Sequence, residues 1–160
     1  MAIQVGEKIP DVTLKTLTPE GMQDITTQAI FSGKRVVLFA VPGAFTPLCS
    51  AQHLPGFIAK ADEIRARGVD TIACLSVNDA FVMDAWGKDR GAGDKVVMLA
   101  DGSAEFSRAV GLDFDGSNFG MGVRSQRYAA VVEDGVVKTL AVEKPMKFEV
   151  SSAEAILKTL

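Results

Sequence analysis

Three apolar runs constrain this chain more than anything else in it: RVVLFAV at Arg35–Val41, VDTIACLSV at Val69–Val77 and KVVMLA at Lys95–Ala100. Runs this continuous do not alternate polar with apolar, so they suit strands covered on both faces rather than strands with one wet side. Between the first two, Leu54, Phe57, Ile58, Ala61 and Ile64 recur at helical spacing. Between the second and third, Phe81, Val82, Ala85 and Trp86 predict another apolar helix face, opened by Asn78 or Asp79 as cap. Strand, helix, strand, helix, strand implies right-handed crossovers and parallel strands.

The second half of the chain changes character. Tyr128–Val132 and Val136–Leu140 predict strands joined through Glu133-Asp134-Gly135, a hairpin signal. Ser151-Ser152-Ala153-Glu154 reads as a capping box ahead of a helix carrying Ile156, Leu157 and Leu160. A parallel βαβ unit followed by a hairpin and a terminal helix is the order of a thioredoxin-like domain: α/β, three layers, with a mixed central sheet. At 160 residues the chain fits one such domain, residues 1–160. A fold of this kind hosts many activities, so function must come from particular residues.

Charge narrows the partners. A formal net charge of -3, with lysines and arginines never in a run, gives no basic footprint for nucleic acid or an anionic membrane. No apolar stretch reaches spanning length, and MAIQVGEKIP lacks a charged-then-apolar leader. Two cysteines are too few for a disulfide framework, and with one histidine they supply no zinc-like spacing. The expectation is a cytoplasmic protein with reduced thiols.

Cys49 stands out within VPGAFTPLCSAQHLPGF, residues 41–57. Thr46 suits an N-cap and Pro47 a first helical position, which puts Cys49 in the first turn of a helix. Unpaired N–H groups and the positive end of the helix dipole favour a thiolate there. The position also lies just past the carboxyl end of a parallel strand, where open α/β sheets tend to carry their sites. On the residues alone, a small apolar thiol filling space near the helix start fits equally well.

Pro42, Thr46 and Cys49 have the spacing P-x-x-x-T-x-x-C, followed by His53-Leu-Pro-Gly-Phe57. This resembles the peroxiredoxin active-site signature, and the extended form PGAFTPxCSxxHLPG resembles the type II branch, the peroxiredoxin-five subgroup. Arg124-Ser-Gln-Arg127 before the hairpin strand, VGEKIPDV near the start and FDGSNFGMG are also similar to that branch. The resemblance covers nearly the whole chain. It implies a thiol-dependent peroxidase that reduces hydrogen peroxide and alkyl hydroperoxides through a cysteine sulfenic acid. Regeneration would come from glutathione, glutaredoxin or thioredoxin, with no bound cofactor, in a homodimer.

By motif match, Cys49 would be the nucleophile, and Thr46 would hydrogen-bond the thiolate or the peroxide. Arg127 would favour the thiolate and stabilise charge building on the O–O bond, while Pro42 would shield the site. Without the motif, Thr46 and Pro42 read as cap and turn, and Arg127 as a surface arginine. His53 lies four residues after Cys49 and invites a cysteine–histidine hydrolase reading; a place at the pocket mouth or in packing suits it better. Phe45, Phe81 and Phe119 are candidates to line an apolar pocket or simply to pack the core. Arg124 either supports the field of the site or lies on the surface.

Two other activities fit the chain less well. A dithiol oxidoreductase needs C-x-x-C, which is missing, and a thioredoxin-like binding module would not turn over peroxide. Cys74, inside VDTIACLSV, is the one candidate for a resolving cysteine, at a position where plant type II relatives carry one. Mammalian relatives place theirs before the terminal helix, where this chain has EVSSAEAIL. If the two strands are parallel, Cys74 and Cys49 are offset by roughly three residues, about 10 Å, past the roughly 7 Å reach of a disulfide. Cys74 therefore reads as a buried apolar thiol, and the chain as a one-cysteine enzyme.

Overall fold

The computed structural model describes residues 1–160. Strands β1 (Thr13–Thr18) and β2 (Gly21–Thr26) form a hairpin, followed by a short helix α1 (Thr27–Phe31). The βαβαβ unit comes next: β3 (Arg35–Ala40), α2 (Leu54–Ala66), β4 (Thr71–Ser76), α3 (Ala80–Arg90) and β5 (Val97–Ala100). Helix α4 (Glu105–Ala109) precedes a small ribbon of β6 (Asp113–Asp115) and β7 (Val123–Ser125). Strands β8 (Tyr128–Glu133) and β9 (Val136–Val142) and helix α5 (Ala153–Leu157) complete the chain.

Seven strands join in the order β2-β1-β5-β4-β3-β8-β9. β3, β4 and β5 are mutually parallel, as the pattern requires, while β1 and β8 add antiparallel on either side. The sheet is therefore mixed, and its central strands are covered twice. Val37 and Phe39 of β3, and Val41 just past it, enter the core with Leu54, Phe57, Ala61 and Ile64 of α2. Val36, Leu38 and Ala40 enter the opposite core with Phe31 and Phe106, beside α1 and α4. This two-sided burial is why the run is continuously apolar; each buried Val, Leu, Ile or Phe contributes roughly 1.5–3 kcal/mol against exposure.

The β8–β9 turn has positive φ at Asp134 (47°) and Gly135 (79°), a two-residue hairpin loop of the type the sequence signals.

Three expectations shift. The α3 face that packs is Ala80, Met83, Trp86 and Gly87, with Phe81 and Ala85 exposed and Val82 half-buried. The helix is turned because Trp86 and Met83 fill the core while Gly87 lies flat against Met98. The cap of α5 is Ser152, whose hydroxyl accepts from Ala155 N at 3.1 Å. The capping-box register slips by one because the Ser151 hydroxyl is already bound to Glu143. Finally, β1 and β2, which carry no strong apolar run, extend the sheet beyond what the periodicity predicts, and α1 follows them.

Candidate active site

Past the end of β3 the chain makes a tight turn before its long helix. Gly43 is tightly enclosed: a Cβ there would meet Thr46 Cγ2 at 3.0 Å and Arg124 Nη1 and Met121 Cε at 3.3 Å, so these side chains would have to give. Phe45 takes φ = 64°, a strained conformation for an aromatic residue. Asn78 holds the turn by accepting from Ala44 N at 2.9 Å. Helical backbone starts at Pro47, with Thr46 in the N-cap position as expected. The Thr46 hydroxyl, however, does not cap the helix. It donates to Gly43 O at 2.6 Å, while Thr46 O accepts the Ser50 N–H at 2.9 Å.

Residues Cys49–His53 are wound as a π-helix, the Leu54 N–H reaching back to Cys49 O. One wider turn of this kind is uncommon and concentrates at functional sites. It leaves Cys49 and His53 one turn apart, both fully buried. Arg127, between β7 and β8, joins them. Its Nη2 donates to Cys49 Sγ at 3.0 Å and its Nη1 to His53 Nδ1 at 2.8 Å. No carboxylate pairs with Arg127, so its charge is directed at the sulfur.

His53 Nε2 faces Ser151 O at 2.9 Å, so the ring must carry its proton there and keep its Nδ1 lone pair for Arg127. Burial, together with the Arg127 charge, pushes the imidazole down to about 3 from its ordinary 6.5. A neutral, fully committed ring cannot serve as a general base for Cys49, which removes the hydrolase reading. Phe148 closes this side, edge-on to His53 with ring centroids 4.9 Å apart and 6.0 Å from the Arg127 guanidinium carbon. Neither Phe148 nor Glu143 carries a motif legible in the sequence, and Ser151 reads there only as part of a cap.

The other candidates fall elsewhere. Arg124 donates from Nε to Met121 O at 2.9 Å and from Nη1 toward Pro42 O at 3.5 Å, pinning two loops together without reaching the sulfur. Pro42 lies half-buried directly after the last residues of the β3 run. Phe45, Phe81 and Phe119 are 51%, 61% and 70% exposed, so none of them packs the core. Cys74 pairs with Phe39 across β3 and β4, fully buried and unbridged, its thiol pushed up by burial and then by the neighbouring Cys49. Ser50, beside Cys49, accepts from Trp86 Nε1 at 2.8 Å, a tie from α3 that periodicity does not reveal.

A buried thiol held by a guanidinium at the start of a helix, on a thioredoxin-like sheet, defines a thiol-based redox site. The chain matches the family described as Redoxin over residues 4–157 and belongs to it. It is 51% identical to peroxiredoxin-2E, chloroplastic, of Arabidopsis thaliana, covering 99% of this chain and 70% of that protein. It is 46% identical to peroxiredoxin sll1621 of Synechocystis, over 94% of this chain and 88% of the relative. Reduced Prx3 of Vibrio vulnificus in complex with hydrogen peroxide superimposes with a TM-score of 0.95 at 55% identity, covering 98% of each chain. The chain is thus a peroxiredoxin consistent with the type II branch, a thiol peroxidase of antioxidant function with the mixed-sheet fold anticipated from its sequence.

Proposed function

We propose that Cys49 is the peroxidatic nucleophile, served by Arg127, Thr46 and Pro42. The observation that carries this reading is the Arg127 fork, one nitrogen on Cys49 Sγ and the other on His53. The thiolate attacks one peroxide oxygen; the S–O bond forms as the O–O bond breaks, and sulfur gives up two electrons. Hydroxide or alkoxide leaves and takes up a proton, and a sulfenic acid stays on Cys49. Arg127 moves its donors onto the oxygens as charge builds there. Thr46, its single hydroxyl proton committed to Gly43 O, can accept but not donate. It therefore takes the hydrogen bond of the incoming peroxide O–H and does not support the thiolate. Pro42 covers the site at its half-buried position.

Regeneration runs on one cysteine. An outside thiol, glutathione or glutaredoxin in preference to thioredoxin, attacks the sulfenic sulfur; water leaves, and a second thiol resolves the mixed disulfide. The burial of Cys74 in mid-strand supports this, since bridging to it would require β4 to shift. Exposed Phe45, Phe81 and Phe119 support a homodimer that covers apolar surface. The cytoplasm, with its reduced thiols, is the compartment that suits such a cycle.

The test is peroxide turnover with glutathione and glutaredoxin, or with thioredoxin, in wild type, Cys49→Ser, Cys74→Ser and Arg127→Met. Loss of turnover in Cys49→Ser with retention in Cys74→Ser is expected. A stoichiometric Cys49–Cys74 disulfide, with turnover lost in Cys74→Ser, would overturn the one-cysteine cycle.

A further inference from the structure

Glu143 lies just past the end of β9, only 7% exposed, and its carboxylate meets no cation. Burying an anion without a counter-charge is costly unless many hydrogen bonds replace water. Glu143 has them. Glu149 N reaches both carboxylate oxygens, at 3.0 and 2.9 Å. Val150 N (2.9 Å), Ser151 N (2.8 Å) and the Ser151 hydroxyl (2.7 Å) converge on Oε2. These bonds outweigh the burial that would raise the carboxyl and hold it below its ordinary range. One side chain thus closes residues 143–151 into a loop anchored on its own first residue.

Both ends of this construction touch the active site. The Glu143 N–H donates to Arg127 O at 2.9 Å, continuing the β8–β9 ladder by one pair. The clamped end presents Ser151 O to His53 Nε2–H. Between them the loop carries Phe148 against His53 and Arg127.

We propose that Glu143 is a positioning residue for Arg127, acting through the Ser151 carbonyl and His53. The clamp fixes Ser151 O. That carbonyl selects the Nε2–H tautomer of His53, whose Nδ1 lone pair then holds Arg127 Nη1, leaving Nη2 aimed at Cys49 Sγ. Without the clamp the carbonyl is free to leave the imidazole. The tautomer with Nδ1–H then turns a donor toward the guanidinium, and two donors repel. This inference rests on Cys49 and Arg127 being the catalytic pair proposed above.

The experiment uses the reduced full chain with Glu143→Ala and Glu143→Asp, each alone and combined with Arg127→Met. The second-order rate of peroxide reduction is measured by stopped flow. Imidazole tautomer is read from nitrogen-15 signals, which are unambiguous because His53 is the only histidine. The expected result is a peroxide rate lower by roughly tenfold in Glu143→Ala, with the histidine signals moving from one tautomer to a mixture. In the Arg127→Met background the same change should cost less than about twofold, because residues acting through one another are not additive. Should Glu143→Ala fail to fold, Glu143→Asp carries the test. It keeps the charge but draws the clamp back by one methylene, and it should show both the slower rate and the tautomer mixture.

An unchanged tautomer, or equal losses in the two backgrounds, would overturn the inference and leave Glu143 a loop staple. An unchanged rate in Arg127→Met by itself would instead overturn the choice of catalytic arginine. The two failures are therefore distinguishable.

Discussion

The helical segment that starts at Pro47 and runs into α2, and helix α3, each follow the carboxyl end of a parallel strand, yet they start differently. At α3, Asp79 accepts from Val82 N at 2.9 Å, and the helix runs regularly to Gly91, left-handed at φ = 75°. At α2, Thr46 spends its hydroxyl on Gly43, no side chain caps the first turn, and five residues are π-wound. Both sit under the same core, so packing does not explain the contrast. Local stability has been given up at the helix start that carries Cys49, the proposed nucleophile. A buried sulfenic acid must become reachable by a bulky thiol, and segments that open for function come from the low-stability end of a fold.

The largest expected effect breaks the symmetry of the two starts outright. Arg127→Met should slow peroxide reduction by roughly two to three orders of magnitude while leaving the fold, since removing one well-placed donor commonly costs that much. Asp79→Ala should do the opposite, lowering stability by about 1 kcal/mol with turnover kept, as a lost cap would. Stopped-flow rates and urea melts on both variants check this. An Asp79→Ala protein with wild-type stability would mean that the caps are not what separates the helices.

Oxidation should then sharpen the difference. One equivalent of peroxide is expected to raise amide exchange across residues 46–54 severalfold, with Ala80–Arg90 unaffected. Trp86 is the only tryptophan, and its indole N–H bond to Ser50 ties α3 to the moving turn. Its fluorescence should change in the same step, because the indole loses that partner. Constant exchange and constant fluorescence on oxidation would mean that the donor thiol reaches Cys49 without any unwinding.

The sequence makes much of this legible, for identifiable reasons. The doubly buried strands announce themselves because Val36 to Val41 face apolar layers on both sides. Pro42, Thr46 and Cys49 are close in sequence, so a local motif holds them. The orientation of α3 departs from its apolar periodicity because Phe81 is apolar yet exposed, and periodicity assumes that large apolar side chains point inward. The wall of the site was invisible for a different reason. Glu143, Phe148 and Ser151 reach His53 from roughly a hundred positions away, through a loop whose shape depends on backbone N–H groups that any residue carries. The spending of Thr46 on Gly43 is likewise a choice between two local hydrogen bonds that composition cannot decide.

A further effect, far smaller than that of Arg127→Met, is the pH dependence that His53 confers on stability, and its sign follows from the depressed imidazole. Unfolded, the ring takes up a proton near 6.5; folded, it stays neutral until about 3. Below pH 6.5 the unfolded chain therefore binds a proton that the folded chain cannot, and stability falls as pH drops through the window from 6.5 toward 3. Between pH 7.5 and pH 5.5 the loss from this one ring is about 1.4 kcal/mol. Asp101 is raised by burial and works with the opposite sign, over a window that begins at the carboxylate's ordinary 3.8. Cys74 and Tyr128, also raised by burial, matter only on the alkaline side. The exposed Asp79 start has no buried ring, so the acid sensitivity belongs to the α2 end of the molecule. Urea melts at the two pH values should show the difference in wild type and lose it in His53→Asn, whose Oδ1 can still accept from Arg127. Equal wild-type stability at pH 7.5 and 5.5 would mean that His53 takes up its proton in the folded protein as well, and Arg127 Nη1 would then have no acceptor.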